Sequence, residues 1–295
     1  IRPEVIGLIL GAYVLSMIRG EHQSKGGSSP IIRFILGFFV MIGALMFLGC
    51  PLRMILRLGG GDLNALFGIA GFAGGVGIGT IFLKRGYSLQ RTYALSKLES
   101  AIMPAIQVGL LVLVVTAPAF IFFSQKGPGA MHAPWLISLA AGLVVGGLSQ
   151  YSRLCTVGGF RDLFLFKKSV LIFGYIAVLV GVFAVNISFG NFHLGFENQP
   201  VSHTDGLWNF LGMALAGFCS VLLGGCPLRQ LIMTGEGNSD SAVTVLGLAA
   251  GAAFAHNFGL AASGAGPTLN GQIAVGIGFV VALIIAVLNT KRSNA

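Results

Sequence analysis

Nine stretches of this chain are apolar over about the length of a membrane span, and nothing else in the sequence limits its fold so strongly. They run Glu4–Arg19, Ile31–Gly49, Leu63–Leu83, Ile102–Phe123, Pro134–Gln150, Ser169–Ser188, Leu207–Gly225, Ser241–Phe258 and Asn270–Asn289. A transmembrane helix needs about 20 apolar residues; the first stretch is short enough to be tilted or frayed. Only 9% of the 295 residues are charged. So few charges cannot cover a water-soluble surface, which excludes a soluble enzyme, a disordered chain and a nucleic-acid-binding module. The expected fold is an all-α polytopic membrane protein of one domain, 1–295. Glycines inside the spans, as at Gly71, Gly74, Gly75, Gly77 and Gly79, favour close helix–helix approach in lipid.

The net charge of +9 reads either as orientation by the positive-inside rule or as a feature drawing an anionic substrate. With nine spans and Lys291 and Arg292 in the cytoplasm, 14 of the 18 basic residues fall on cytoplasmic stretches and only Arg2, Arg53, Arg57 and Lys126 do not. The loop Gly190–Gly206 carries no Lys or Arg and is expected outside, Lys84–Lys97 inside. The expected location is the inner (plasma) membrane of a prokaryote, with a cytoplasmic C-terminus.

Cys-Pro-Leu-Arg occurs twice, at Cys50–Arg53 and 176 residues later at Cys226–Arg229. The same offset aligns Phe34 with Phe210, and Gly49, Gly59, Gly61, Gly71 and Gly75 with Gly225, Gly235, Gly237, Gly247 and Gly251. Asp62 and Asn64 meet Asn238 and Asp240 in reversed order. Five spans separate the motifs, and an odd number puts them on opposite sides of the membrane. That is an inverted-topology repeat, the architecture of proteins that pass a solute through a central site. Repeat one covers about 1–123 and repeat two about 134–290. Cys155 lies 71 residues before Cys226, so its counterpart in the first half falls at about position −21, before Ile1. Repeat one is therefore expected to lack its N-terminal part.

The motif has a physical reading. Proline suits the first position of a helix, where no N–H is required, so Cys50 and Cys226 are expected at N-caps ahead of Pro51 and Pro227. Gly49 and Gly225 let the backbone turn sharply. The stretches Pro51–Leu58 and Pro227–Thr234 are too short to span and suit re-entrant helices, tolerated at membrane depth where buried or lining a cavity. Their N-termini offer N–H groups and a positive dipole end to an anion, and Arg53 and Arg229 add positive charge. A soft, electropositive site matches a small anion carrying sulfur or selenium. The competing reading is that these cysteines are small buried hydrophobes. Cys155, in Arg153-Leu-Cys-Thr-Val-Gly-Gly-Phe-Arg-Asp162, is read as a third loop thiol. Cys219, two helical turns before Cys226, is either turned to the same side or packed in the core.

Other residues carry less. Asp62, Asn64, Asn238 and Asp240 open the helices after the motifs and read as N-caps. Arg161 and Asp162 form either an ion pair holding the Cys155 loop or a charged patch. His256 is an ionisable residue near the end of a span. Every carboxylate lies at a span end or in a loop, which weighs against carboxylate-coupled symport. No metal or cofactor is expected, since no CxxC and no zinc-ligand spacing is present.

At these residues the sequence resembles the YeeE/YedE family of sulfur-compound transporters, and most of all its YedE branch of selenium transporters. The resemblance rests on Arg2-Pro-Glu-Val-Ile-Gly, Gly26-Gly-Ser-Ser-Pro30, Phe47-Leu-Gly-Cys-Pro-Leu-Arg-Met-Ile-Leu-Arg-Leu-Gly-Gly-Gly-Asp-Leu-Asn-Ala65, Gly225-Cys-Pro-Leu-Arg-Gln230 and the Cys155 loop. It implies an hourglass of inverted repeats with cysteines on inward loops guiding thiosulfate, and it carries the conducting role to Cys50, Cys155 and Cys226. The partners expected are a small sulfur or selenium anion, the lipid bilayer and a cytosolic sulfur- or selenium-accepting protein. The competing function is a membrane sulfur-transfer or thiol-redox enzyme working through a persulfide on Cys50 or Cys226. No histidine lies near either motif in sequence to serve as its base.

Overall fold

The computed structural model describes residues 2–116, 133–168 and 170–290. It is almost wholly helical: α1 (Pro3–Ile18), α2 (Pro30–Phe47), α3 (Pro51–Gly59), α4 (Asn64–Lys84), α5 (Lys97–Thr116), α6 (Trp135–Ser152), α7 (Thr156–Phe166), α8 (Val170–Ser188), α9 (Gly206–Leu223), α10 (Pro227–Gly235), α11 (Ser239–Asn257) and α12 (Leu269–Leu288). The only sheet among the described residues pairs β1 (Lys25–Gly26) antiparallel with β2 (Tyr93–Ala94). Among the described residues seven stretches, not the nine expected, are long and apolar enough to cross a membrane, with α2–α3, α6–α7 and α9–α10 each counting as one; α1 has only 16 residues, and α11 is not among the seven. The chain is an all-α polytopic membrane protein. Each apolar segment of the sequence lies over one long helix: α1, α2, α4, α5, α6, α8, α9, α11 and α12. The ends at Phe123 and Ser169, and the C-terminal Lys291 and Arg292, lie outside the described residues.

Two compact units make up the chain, and each draws on both halves of the sequence. The first contains α1, the small sheet, α5, α6 and Arg229–Val243. Within it, α1 and α6 pack backbone to backbone. A Cβ on Gly11 would lie 2.1 Å from the Leu143 carbonyl oxygen, and one on Gly146 2.3 Å from that of Leu8.

The second unit contains α2, α3, α4, α7, α8, α9, α12 and α11 from Thr244 onward. Helix α9 is apolar around its whole circumference and is buried from Gly212 to Leu223, as a helix hydrophobic on all sides must be. Its Leu215, Phe218 and Leu222 meet Leu36, Val40 and Met46 of α2 and Val275 and Ala282 of α12 in the core. Glycine again sets the spacing. Gly71 and Gly75 of α4 stand against the carbonyls of Phe210 and Ala214 at 2.1 and 2.0 Å from where a Cβ would be. Gly247 and Gly251 of α11 stand against those of Phe34 and Phe38 at 2.3 and 2.5 Å. These contacts are reciprocal under the 176-residue offset: Phe34 and Phe38 correspond to Phe210 and Ala214, Gly71 and Gly75 to Gly247 and Gly251.

Candidate functional site: three thiols at three helix breaks

Three times the chain ends a long helix in a left-handed residue, places a cysteine two residues on, and restarts as a short helix. Helix α2 ends at Leu48 (φ 63°) ahead of Cys50 and α3. Helix α6 ends at Arg153 (φ 55°) ahead of Cys155 and α7. Helix α9 ends at Gly224 (φ 82°) ahead of Cys226 and α10. A left-handed non-glycine residue costs about 1–2 kcal/mol, so the first two breaks are held against a local penalty. The residue between, Gly49, Leu154 or Gly225, makes the turn. A Cβ at Gly49 would press on the Arg53 side chain at 3.1–3.3 Å.

Cys50 sits at the N-cap of α3 in extended conformation, with Pro51 in the first turn, as the motif predicts. Pro227 likewise opens α10 behind Cys226. Cys155 differs from the sequence reading. The segment read as a loop is helical from Thr156, and the Cys155 Sγ caps it by accepting from the Gly158 N–H at 3.3 Å. Without a proline, and with two glycines in its first turn, this helix start carried no sequence signal.

All three thiols belong to the second unit and converge. Cys155 and Cys226 are side chains in contact, and Cys50 lies within electrostatic range of Cys226. Cys155 and Cys226 are 6% and 1% exposed, and Cys50 is half-buried. Beside them stands Tyr175, whose hydroxyl bonds the Thr156 hydroxyl and lies within electrostatic range of all three thiols. Tyr175 is the one buried residue of α8 among those described. Its signal in the sequence was a lone phenol inside an otherwise apolar span. Cys219 does not join the cluster; it is buried among the apolar side chains of α2 and α9.

The two motif arginines differ. Arg53 is exposed and makes no ion pair among the described residues. Arg229 is held by Glu236, Nη1 to Oε1 and Nη2 to Oε2, both at 3.1 Å. Arg57, which sequence reasoning passed over, is buried. It donates from Nε to Asp62 at 2.7 Å, from Nη1 to the Phe47 carbonyl at 2.6 Å and from Nη2 to Ser202 Oγ at 2.6 Å. Arg57 thereby ties the end of α2 to α3 on either side of Cys50. Next to this network His203, in the loop before α9, is 2% exposed, with Nε2 2.8 Å from the Met46 carbonyl. Burial pushes its pKa below the ordinary histidine value.

The four polar residues after the motifs divide their roles. Asn238 caps α11 by accepting from the Ser241 N–H at 3.1 Å. Asp62 accepts from the Asn64 N–H at 2.9 Å besides pairing with Arg57. Asn64 does not cap; its amide donates to the Phe196 carbonyl at 2.6 Å. Asp240 is no cap either. It takes the N–H groups of Gly27 and Ser28 at 2.9 and 3.2 Å and the Ser28 hydroxyl at 2.7 Å, so it pins a distant loop. Arg161 and Asp162 are paired at 2.8 Å on α7. His256 is exposed near the end of α11.

Fold and site together define a class: a multi-pass helical membrane protein that gathers buried free thiols at breaks in its helices. Residues 151–290 match the family model described as sulphur transport. Over 115 residues, 36% of this chain and 30% of the relative, the chain is 27% identical to the thiosulfate transporter TsuA of Escherichia coli (strain K12). The match thus spans less than a third of that relative's length. The second half of the chain is thus similar to proteins of sulphur transport.

Proposed function

We propose that the protein is a permease for a small sulfur-containing anion of the thiosulfate type, with a selenium compound as the alternative cargo. The observation that carries this reading is the convergence of Cys50, Cys155 and Cys226, each at the start of a short helix, around the Tyr175 hydroxyl. An anion leaving water for a low-dielectric path loses its hydration and must be met by donors. Helix N-termini contribute positive partial charge, thiols contribute weak S–H donors with polarisable sulfur, and Arg53 and Arg229 stand in the first turns. Hard oxyanions need only backbone and arginine; the thiols add affinity for sulfur or selenium.

The reciprocal glycine contacts of α4 with α9 and of α11 with α2 support a two-fold relation between the repeats, and the odd number of expected spans between the motifs supports its inverted sense. Two copies related by a two-fold axis exchange partners in this way, whereas copies related by translation do not. In this reading the motifs enter from opposite faces of a prokaryotic inner membrane, the C-terminus is cytoplasmic, and a cytosolic protein accepts the delivered sulfur or selenium.

One observation favours a second reading. The contact between Cys155 and Cys226 is one that a dithiol enzyme would use. A thiolate attacking the sulfane sulfur of thiosulfate would give a cysteine persulfide and release sulfite. The purified protein in vesicles distinguishes the two. A permease accumulates labelled thiosulfate intact inside the vesicles, and a panel with sulfide, selenite and selenide ranks the cargo. Release of sulfite with a sulfurated cysteine by mass spectrometry, and no net uptake, contradicts the permease reading.

A further inference from the structure

Arg53 and Arg229 hold the same place in the two copies of the motif, yet only Arg229 is occupied by a carboxylate. Its guanidinium fork faces Glu236 oxygen for nitrogen, at 3.1 Å on each side, with the two side chains 13% and 10% exposed. Glu236 corresponds, 176 residues earlier, to Gly60, which has no side chain to offer Arg53. The difference between the two copies therefore rests on one position. Glu236 also has a second cation within reach: Arg153 Nη1 lies 3.5 Å from the same Oε1. Arg153 is half-exposed and is braced by Glu21 at 2.9 Å, which in turn holds Arg19 at 3.0 Å. A carboxylate displaced from Arg229 thus has a partner waiting.

A two-pronged grip on guanidinium is also the geometry by which an external oxyanion binds arginine. We propose that Glu236 is a tethered counter-anion that closes the Arg229 site, and that a doubly charged substrate displaces it onto Arg153. The assignment deepens the permease reading and rests on it. It makes Glu236 a residue that sets apparent affinity, because it competes with the substrate for Arg229.

The test is Glu236→Gln, which keeps the side chain's shape and removes its charge. In vesicles the half-saturating thiosulfate concentration should fall several-fold, with little change in maximal rate. Glu236→Asp, one methylene shorter, should give a smaller change in the same direction. Purified protein supplies an independent readout. Thiosulfate should raise the unfolding temperature of Glu236→Gln by more than that of the wild type, because the anion replaces the missing partner of a largely buried guanidinium. An equal or smaller shift in both substituted proteins overturns the proposal whatever the uptake. If the wild type itself carries no thiosulfate, the permease reading falls, and the thermal shift still decides whether Glu236 guards an anion site.

Discussion

Replacing Asp62 by Asn tests the device that fixes the Cys50 break. The substitution preserves shape and removes one charge from a pair whose side chains are 6% and 4% exposed. Arg57 keeps its bonds to Phe47 and Ser202 and its place over the Phe47 ring, 4.0 Å from the centroid, but loses its counter-ion. Breaking a buried pair by removing one partner costs about 3–5 kcal/mol, because the remaining charge stays desolvated. At roughly 2–4 °C per kcal/mol for a chain of a few hundred residues, the unfolding temperature should fall by roughly 6–20 °C. The double variant Arg57→Met, Asp62→Leu should recover much of that loss, since it buries no orphaned charge; it forfeits the bonds to Phe47 and Ser202, at about 0.5–1.5 kcal/mol each. The assay is thermal unfolding of purified protein, completed as a double-mutant cycle. A fall of less than about 2 °C for Asp62→Asn would correspond to at most about 1 kcal/mol and would refute the reasoning. Because Arg57 grips the carbonyl of Phe47, three residues before Cys50, uptake by Asp62→Asn should also fall at temperatures where it remains folded.

Three further outcomes are expected. His203 has a pKa below its ordinary value, so the unfolded chain binds more protons below about pH 6.5. Stability should hold above that pH and decline as pH falls beneath it, and His203→Gln should flatten the decline in a pH series of unfolding temperatures. Gly75→Val drives a side chain into the Ala214 carbonyl and should cost about 1–3 kcal/mol or more. Gly74→Ala, whose new Cβ meets only the Phe210 ring at 3.8 Å, should stabilise by about 0.5–1 kcal/mol in the same unfolding assay. Single cysteines placed in Lys84–Lys97 and in Gly190–Gly206 should label with an impermeant reagent from opposite sides; labelling from one side would contradict the inverted repeat.

The sequence disclosed what local chemistry encodes. Apolar runs located the long helices, because a backbone in lipid has no alternative to helix or closed barrel, although α1 and α11 are not among the seven stretches long and apolar enough to span. Proline after Cys50 and Cys226 marked two short helices, because proline's missing N–H costs nothing at a helix start. What stayed hidden was decided by partners far away in the chain. The start of α7 lacks proline and rests on the Cys155 thiol. Asp240 sits in a helix's first turn but serves Gly27 and Ser28, more than two hundred residues earlier. His203 lies in a loop, and its burial and its contact with the Met46 carbonyl join it to a residue far earlier in the chain. Arg229 and Arg53 read alike in the motif, and only the contact with Glu236 separates them. Tyr175 belonged to an apolar run, and its role follows from the thiols gathered around it.

The central claim is that the three thiols form the path of a sulfur anion, and it is tested most directly by uptake of labelled thiosulfate into vesicles containing wild type, Cys50→Ala or Cys226→Ala. Conduction by weak hydrogen bonds predicts that each Ala variant slows uptake strongly while folding normally, because a desolvated anion loses a donor in a dry passage. Ser variants, which keep a hydroxyl, should retain part of the rate, and no cysteine should carry a persulfide after turnover. Unimpaired uptake by both Ala variants would reduce these cysteines to packing residues and contradict the account.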